Sequence, residues 1–219
     1  MDGPVLGVVG GSGGVGASTF AAVLASVTGR AMLIDLDVMG GGIDVLLGIE
    51  GVPGARWSGL RVGGGRLDPG LLADGLPRWG LVPVLAADSS PDSADAVAQV
   101  LAAAAARGPV VIDLGRGQSA QRDAALARCV LVVLLAVAQV RGLISARAVA
   151  ASLSGVAAGL VLRRGSVPVD QAAPMTATPL IGVLPAMAGS RERVIDPRRP
   201  PRVVARTAAG VLDGVHRHD

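Results

Sequence analysis

Seven short runs of nearly uninterrupted apolar residues recur along this chain, separated by longer alanine-rich stretches. They are VLGVVG (5–10), AMLIDL (31–36), WGLVPVLA (79–86), VVIDL (110–114), VLVVLL (130–135), GLVLR (159–163) and LIGVLP (180–185). A strand with one wet face alternates apolar and polar residues. Runs without alternation belong to strands covered on both faces, as in a parallel sheet between two helical layers. Between the runs the pattern predicts helices at Ser18–Val27, Pro91–Arg107, Arg141–Leu153 and Arg202–Val215. Ser90 is the expected N-cap of the second, with Pro91 in its first turn and Gly108-Pro109 as its stop. Strand–helix alternation of this kind predicts an α/β, three-layer architecture with a mostly parallel central sheet of about seven strands.

Composition agrees. Hydrophobic residues are 51% of 219 and charged residues 17%, enough to bury a sizeable core and too apolar for a disordered tail. No boundary or internal repeat is visible, so 1–219 reads as one domain, with the Gly-, Pro- and Arg-rich stretch 51–70 as surface loop. Phe20, Trp57 and Trp79 are the only aromatics, which argues against a base-stacking platform for single-stranded nucleic acid. All 20 basic residues are arginine, and the acids are fifteen aspartates beside Glu50 and Glu192. The formal charge is only +3, so charge alone implies no polyanionic partner. A lone Cys129 makes no internal disulfide or thiolate cluster and is expected to pack as a small apolar group. The N-terminus lacks a basic segment ahead of an apolar one, and the longest apolar run, 129–138, falls short of the roughly 20 residues of a membrane span. A soluble, cytoplasmic protein without a transmembrane segment is the expectation.

The first apolar run leads directly into Gly10-Gly11-Ser12-Gly13-Gly14-Val15-Gly16-Ala17-Ser18-Thr19 and then a helix. Such a loop leaves backbone N–H groups free, admits a phosphate closely, and aims a helix N-terminus at it. The plainer alternative is a tight strand–helix turn with no ligand, for which six glycines between Gly7 and Gly16 would be excessive. Gly11-x-Gly13-x-x-Gly16, with Asp35 19 residues further on, also fits a dinucleotide fingerprint. Against that stand the hydroxyls of Ser18 and Thr19, the second acid Asp37, and the separate strand end at Asp113. Carboxylates at the C-terminal ends of parallel strands beside a phosphate loop suit Mg²⁺ and its waters better than nicotinamide.

On these residues the chain resembles the ParA/MinD group of deviant P-loop ATPases, whose loop reads K-G-G-x-G-K-[ST]-T. Ser12–Thr19 matches it except at both lysines. LIDLDVMGGGIDVLLGIE (33–50) is similar to the group's first switch segment, PVVIDLGRG (109–117) to its Walker B and second switch, and 129–153 and 179–201 to its later strands and base-side loop. The likeness covers nearly the whole chain and is nearest to the CpaE/TadZ-like, septum-site-determining branch of high-GC bacteria. There W-x-x-L (Trp57 to Leu60) and LPRWG (76–80) recur; the receiver-like domain that members of that branch often carry ahead of the loop is not part of the likeness.

The resemblance implies a switch that binds ATP or ADP with Mg²⁺ and links two identical subunits through nucleotide. Gly11, Ser12, Gly13, Gly14, Val15, Gly16, Ala17, Ser18 and Thr19 would form the nucleotide loop. Ser18, Asp35 and Asp113 would serve the Mg²⁺, and Asp37 would orient water; its plainer reading is a turn residue. Ser12 and Ala17 stand where the group has lysines. Without a lysine, Arg116 is the first candidate to supply the missing cation, with Arg163 and Arg141 behind it; an ordinary solvated loop charge is the other reading of Arg116. Binding with feeble or absent hydrolysis is therefore expected.

The partner expected from the resemblance is a protein of the division or secretion machinery, which would hold the chain peripherally at septum or pole. A scaffold acting only through protein contacts is the alternative, and a dinucleotide oxidoreductase a weaker one. Arg191, Arg193, Arg198, Arg199 and Arg202 form a basic cluster that reads as solvated loop ahead of DNA contact. The C-terminal helix carries a small-residue apolar stripe expected to pack on the domain rather than on a membrane, and His216 with His218 is not expected to hold a metal.

Overall fold

The apolar runs become strands, and the first of them, β1 (Val5–Gly10), is buried at every position. The computed structural model describes residues 2–62, 67–186, 195–196 and 199–215. Along the chain follow α1 (Ala17–Val27), β2 (Met32–Asp35), α2 (Ile43–Leu47), α3 (Pro69–Gly75), β3 (Arg78–Trp79), β4 (Val82–Leu85), α4 (Ala94–Ala105) and β5 (Val110–Asp113). Then come α5 (Ala120–Leu126), β6 (Leu131–Val137), α6 (Val140–Ala151), β7 (Ala158–Arg163), α7 (Val169–Met175), β8 (Leu180–Leu184) and α8 (Arg202–Val215). The strands join in the order β3-β4-β2-β5-β1-β6-β7-β8. Every pairing is parallel except β3–β4.

Two apolar layers cover this sheet, and β1 feeds both. Its Val5 and Val9 belong to the apolar cluster that includes side chains of α3, α4, α5, α6 and α7, whereas Leu6 and Val8 belong to the one that includes those of α1, α2 and α8. That is why the run has no polar alternate position. Each such side chain contributes roughly 1.5–3 kcal/mol relative to exposure.

The sheet has eight strands where about seven were expected. The run 79–86 is not one strand but a hairpin: Gly80 takes a left-handed φ of 62°, and Trp79 and Val82 pair antiparallel across it. The turn delivers Trp79 into the core, where its indole N–H donates to the Ile195 carbonyl at 2.8 Å.

α4 starts later than expected. Ser93, not Ser90, caps it by accepting the Ala96 amide at 3.0 Å, and Pro91 stays outside. The described part of the stretch 51–70 is mostly irregular and exposed, as expected, yet two of its side chains tie it down. Trp57 is buried and donates its indole N–H to the Asp35 carbonyl at 2.7 Å. Arg56 bonds the Asp44 carboxylate and the carbonyls of Ile49, Glu50, Val52 and Gly54. α8 packs on α1 and β8 through Ala208 and Val211, which settles its apolar stripe as core. Cys129 packs against the core with its thiol donating to the Ala125 carbonyl, and burial pushes that thiol up to about 12. Of the arginine cluster, Arg199 and Arg202 are exposed; Arg191, Arg193, Arg198, His216 and His218 lie outside the described residues. Among the described residues no helix is long and apolar enough to cross a membrane.

Candidate functional site

β1 ends at Gly10, and the chain turns over the C-terminal edge of the sheet. The Gly11 amide still pairs with the Leu135 carbonyl of β6 at 2.7 Å, and the Phe20 amide with Gly16 at 2.9 Å. Between them, no backbone N–H from Ser12 through Thr19 has an acceptor among the described residues. Gly16 sits left-handed at φ 91° as the residue ahead of α1, which has no side-chain cap and no acid in its first turn. Uncapped helix N–H groups need an acceptor from outside the chain, and the helix dipole favours an anion there. The run of open amides is therefore a cradle whose chemistry fits phosphate oxygens.

The cradle is backed by α6. A Cβ on Gly11 would come within 2.6 Å of the Ala146 Cβ, so the backbone passes where only glycine fits. The Ser145 hydroxyl donates to the Gly11 carbonyl. Two cations look onto the loop: the Arg116 Nη2 lies 3.5 Å from where a Gly13 Cβ would stand, and the Arg163 Nη2 lies 3.2 Å from the same point on Gly16. Arg141 is exposed on the first turn of α6 and makes no described bond to the loop.

Sheet register brings the acids to the loop. Asp113 of β5 stands beside Val8 of β1 on one side and Asp35 of β2 on the other. Both carboxylates are buried, at 2% exposure each. Asp35 accepts the amide of Asp37 at 2.8 Å on one oxygen, and those of Ile43 at 3.1 Å and Ala87 at 3.3 Å on the other. The Ser18 hydroxyl and the Gly115 amide lie near Asp113 and favour its charged form. Burial pushes Asp35 up to about 6, against the pull of those amides. Burial first, and then the charge of Asp35, pushes Asp113 up to about 7. Neighbouring buried carboxylates with raised pKa values are held ready for a cation that would relieve them.

Asp37 is half-buried at the head of the loop after β2, and its carboxylate accepts the Met39 amide at 3.3 Å. Gly115, left-handed at φ 60°, lies against it: a Cβ there would be 3.0 Å from Asp37 Cα, Cβ and Cγ. The loops after β2 and β5 thus touch. Among the described residues no three His, Cys, Asp or Glu side chains converge closely enough to wrap a metal by themselves. A shallow groove of about 490 Å³, lined by Arg147, Leu153, Thr178 and Pro179 among others, opens at the opposite, N-terminal edge of β7 and β8, away from all of this.

The structure therefore gathers the whole sequence-derived set, Gly11 through Thr19 with Asp35, Asp37, Asp113 and Arg116, at one edge of the sheet. Sequence reasoning did not find Ser145 and Ala146 behind the loop, or Trp57 under Asp35. Those are tertiary contacts of residues with no chemical signature; only a tryptophan in a glycine-rich stretch gave any signal.

No family model matches the chain. An uncharacterized protein of Mycobacterium tuberculosis, found in two strains, is 40% identical over 166 residues, which is 74% of this chain and 47% of that protein. The chain thus spans about half the length of the curated relatives it matches. Among solved structures it is similar to a ParA family ATPase from Chlorobium tepidum TLS, with TM-score 0.72 and 14% identity over 95% of this chain and 98% of that one. It is also similar to the septum site-determining protein MinD complexed with Mg-ADP from Pyrococcus horikoshii OT3, with TM-score 0.66 and 17% identity over 97% and 98%. The fold is thus that of a P-loop ATPase, with its glycine loop at the C-terminal edge of a mostly parallel sheet. More particularly, it is the fold of the ParA and MinD ATPases.

Proposed function

We propose that the chain is a nucleotide-binding switch or positioning protein of the MinD/ParA kind, binding ATP or ADP with Mg²⁺ and hydrolysing ATP weakly or not at all. The observation that carries this is the unbroken set of open amides from Ser12 to Thr19, facing a hydroxyl and a buried acid pair. In this reading Gly13, Gly14 and Gly16 let phosphates approach, and the amides of Ser12 through Thr19 hold them, while Gly11, its own amide given to Leu135, anchors the start of the loop. Ser18 ligates the metal and Thr19 caps the first phosphate. Asp113 holds the metal's water shell, and Asp35, its oxygens already accepting three amides, acts on that shell by its charge. Bound Mg²⁺ would supply positive charge that returns both carboxylates to their ionised form. Asp37 orients the attacking water, and Arg116 is the cation nearest the second switch.

Weak turnover follows from the side chains present. Ser12 and Ala17 carry no charge where the resembling group has lysines. A cation stabilising the transition state is worth roughly 10³–10⁵ in rate. The dinucleotide alternative loses ground, because Asp35, the acid placed to take a ribose hydroxyl, is buried and engaged by backbone amides.

We assign the process to septum-site determination or to pilus or secretion placement, in a CpaE/TadZ-like manner. The partners are a second copy held through nucleotide and a protein of that machinery, with DNA not favoured; the address is cytoplasmic, at septum or pole through the partner. Titration with fluorescent ATP, ADP and NADH analogues, with and without Mg²⁺, tests the core of the proposal. Mg²⁺-dependent ATP and ADP binding is expected. Silence with all three would leave the protein-contact scaffold, and preference for NADH would leave the oxidoreductase.

A further inference from the structure

We infer that Arg163 supplies the cation of the lysine-free loop, its guanidinium gripping the phosphate tail of the bound nucleotide. This rests on the nucleotide reading above and goes beyond it in naming the residue that carries the charge.

Arg163 closes β7, in register with Val137 of β6 and Leu184 of β8, so it leaves the sheet at the same edge as the loop. Its Nε donates to the Val15 carbonyl at 3.3 Å and its Nη1 to the Pro185 carbonyl at 3.3 Å. Those bonds fix the plane of the fork. Nη2 has no partner among the described residues, and it is the atom that faces Gly16, at the mouth of α1. One arm of a held guanidinium is thus free beside the open amides.

Among the described residues its charge is also unanswered: the ion pairs there are Arg56 with Asp44 and Arg78 with Asp74, and no carboxylate is paired with Arg163. The side chain is half-buried, and burial alone lowers its pKa. A partly desolvated cation with no counter-ion is costly, and an anion at the loop offsets that cost. Arg116 differs in burial and in restraint: it is exposed and has no described bond holding it. A group already held in its binding geometry loses less freedom on binding, so the two arginines are not equivalent. Arg122, a buried guanidinium, is directed at Ser152, far from the loop in its bonding.

The test measures binding of Mg-ATP, Mg-ADP and inorganic tripolyphosphate by calorimetry to the full chain, as wild type, R163Q, R163K and, as a control on the exposed face of α6, R147Q. R163Q is expected to weaken all three ligands by about 10- to 100-fold, the worth of one charge-assisted hydrogen bond. It should also flatten the dependence of affinity on salt, which loss of packing alone would not do. R163K, keeping the charge without the fork, is expected between R163Q and wild type, and R147Q at wild type. Should R163Q fail to fold, R163K carries the test. ATP affinity within about tenfold of wild type, with the salt slope kept, supports the inference, and a loss of about 100-fold or more overturns it. ATP binding by R163Q equal to wild type overturns it too. So does loss of ATP with tripolyphosphate unchanged, which would move Arg163 to the base or ribose. A wild type that binds none of the three ligands overturns the nucleotide reading itself, and this inference with it.

Discussion

Asp35 and Asp113 hold the sharpest residue-scale consequence. Each carboxyl ionises near 4 in an unfolded chain, and the fold raises them to about 6 and about 7. The folded state therefore keeps protons that the unfolded state has released. The stability this contributes is complete below about pH 4 and is lost as pH rises through about 6 to about 7. In EDTA and without nucleotide, Tm should fall between pH 5 and pH 7 by on the order of 5 °C and level off above pH 8. Asp113→Asn should flatten the fall and raise Tm at pH 8, because the amide removes the charge that burial disfavours. A ligand-free Tm that stays level or climbs over that range would show that the acid pair is ionised throughout. At this scale the sequence was most legible: glycines and carboxylates at fixed positions after strands state their chemistry locally. The approach of Arg163 to Gly16 was not legible, because it spans 147 positions and depends on which strands become neighbours.

Among the elements, legibility tracked burial. β1, β2, β5, β6 and β7 emerged within a residue or two of their apolar runs, because a strand dry on both faces has no other way to read; β8 emerged as closely although Leu180 and Ile181 are exposed. The short helices α2, α3, α5 and α7 were missed, since five to seven residues are too few to establish a helical period. The hairpin at Gly80 was missed because the residue that turns it sits inside an apolar run. The stretch around Trp57 reads as surface loop and is one in its described part, but composition did not tell that two of its side chains anchor it. Trp57 ties this stretch to the end of β2, while Arg56 ties it to α2 and the turn that follows. Trp57→Phe keeps most of the packing and orphans the Asp35 carbonyl, so a cost of about 1–2 kcal/mol is expected in urea denaturation. Trp57→Ala also opens a cavity and should cost about 3–5 kcal/mol. Equal effects of the two would mean that the hydrogen bond, not the packing, is what holds the stretch.

At the scale of the whole molecule, the loop edge of the sheet carries unpartnered apolar side chains. Met39, at 90% exposure, follows β2, and Val140 and Ile144, at 56% and 62%, stand one turn apart at the start of α6. In α6, Ser145 and Ala146 back the loop, so its neighbour Ile144 shares the loop's edge. A nucleotide-linked homodimer, as proposed, would cover this rim, and nucleotide would then be read out as association. Sedimentation of the full chain should show monomer alone or with ADP, and a dimer fraction that grows with protein concentration in Mg-ATP. Ligand at about 100 times its Kd stabilises a fold by roughly 2.7 kcal/mol, so Mg-ADP should raise Tm by about 5–10 °C without dimer. Ile144→Glu places a charge on the rim without touching the amide cradle. It should leave the Mg-ADP shift intact while abolishing the Mg-ATP dimer. If I144E and wild type associate alike, the dimer is built on another face. If Mg-ATP raises Tm as Mg-ADP does and no dimer forms at any concentration, the chain binds nucleotide without using it to join a second copy, and its switching must lie in the loops after β2 and β5 alone.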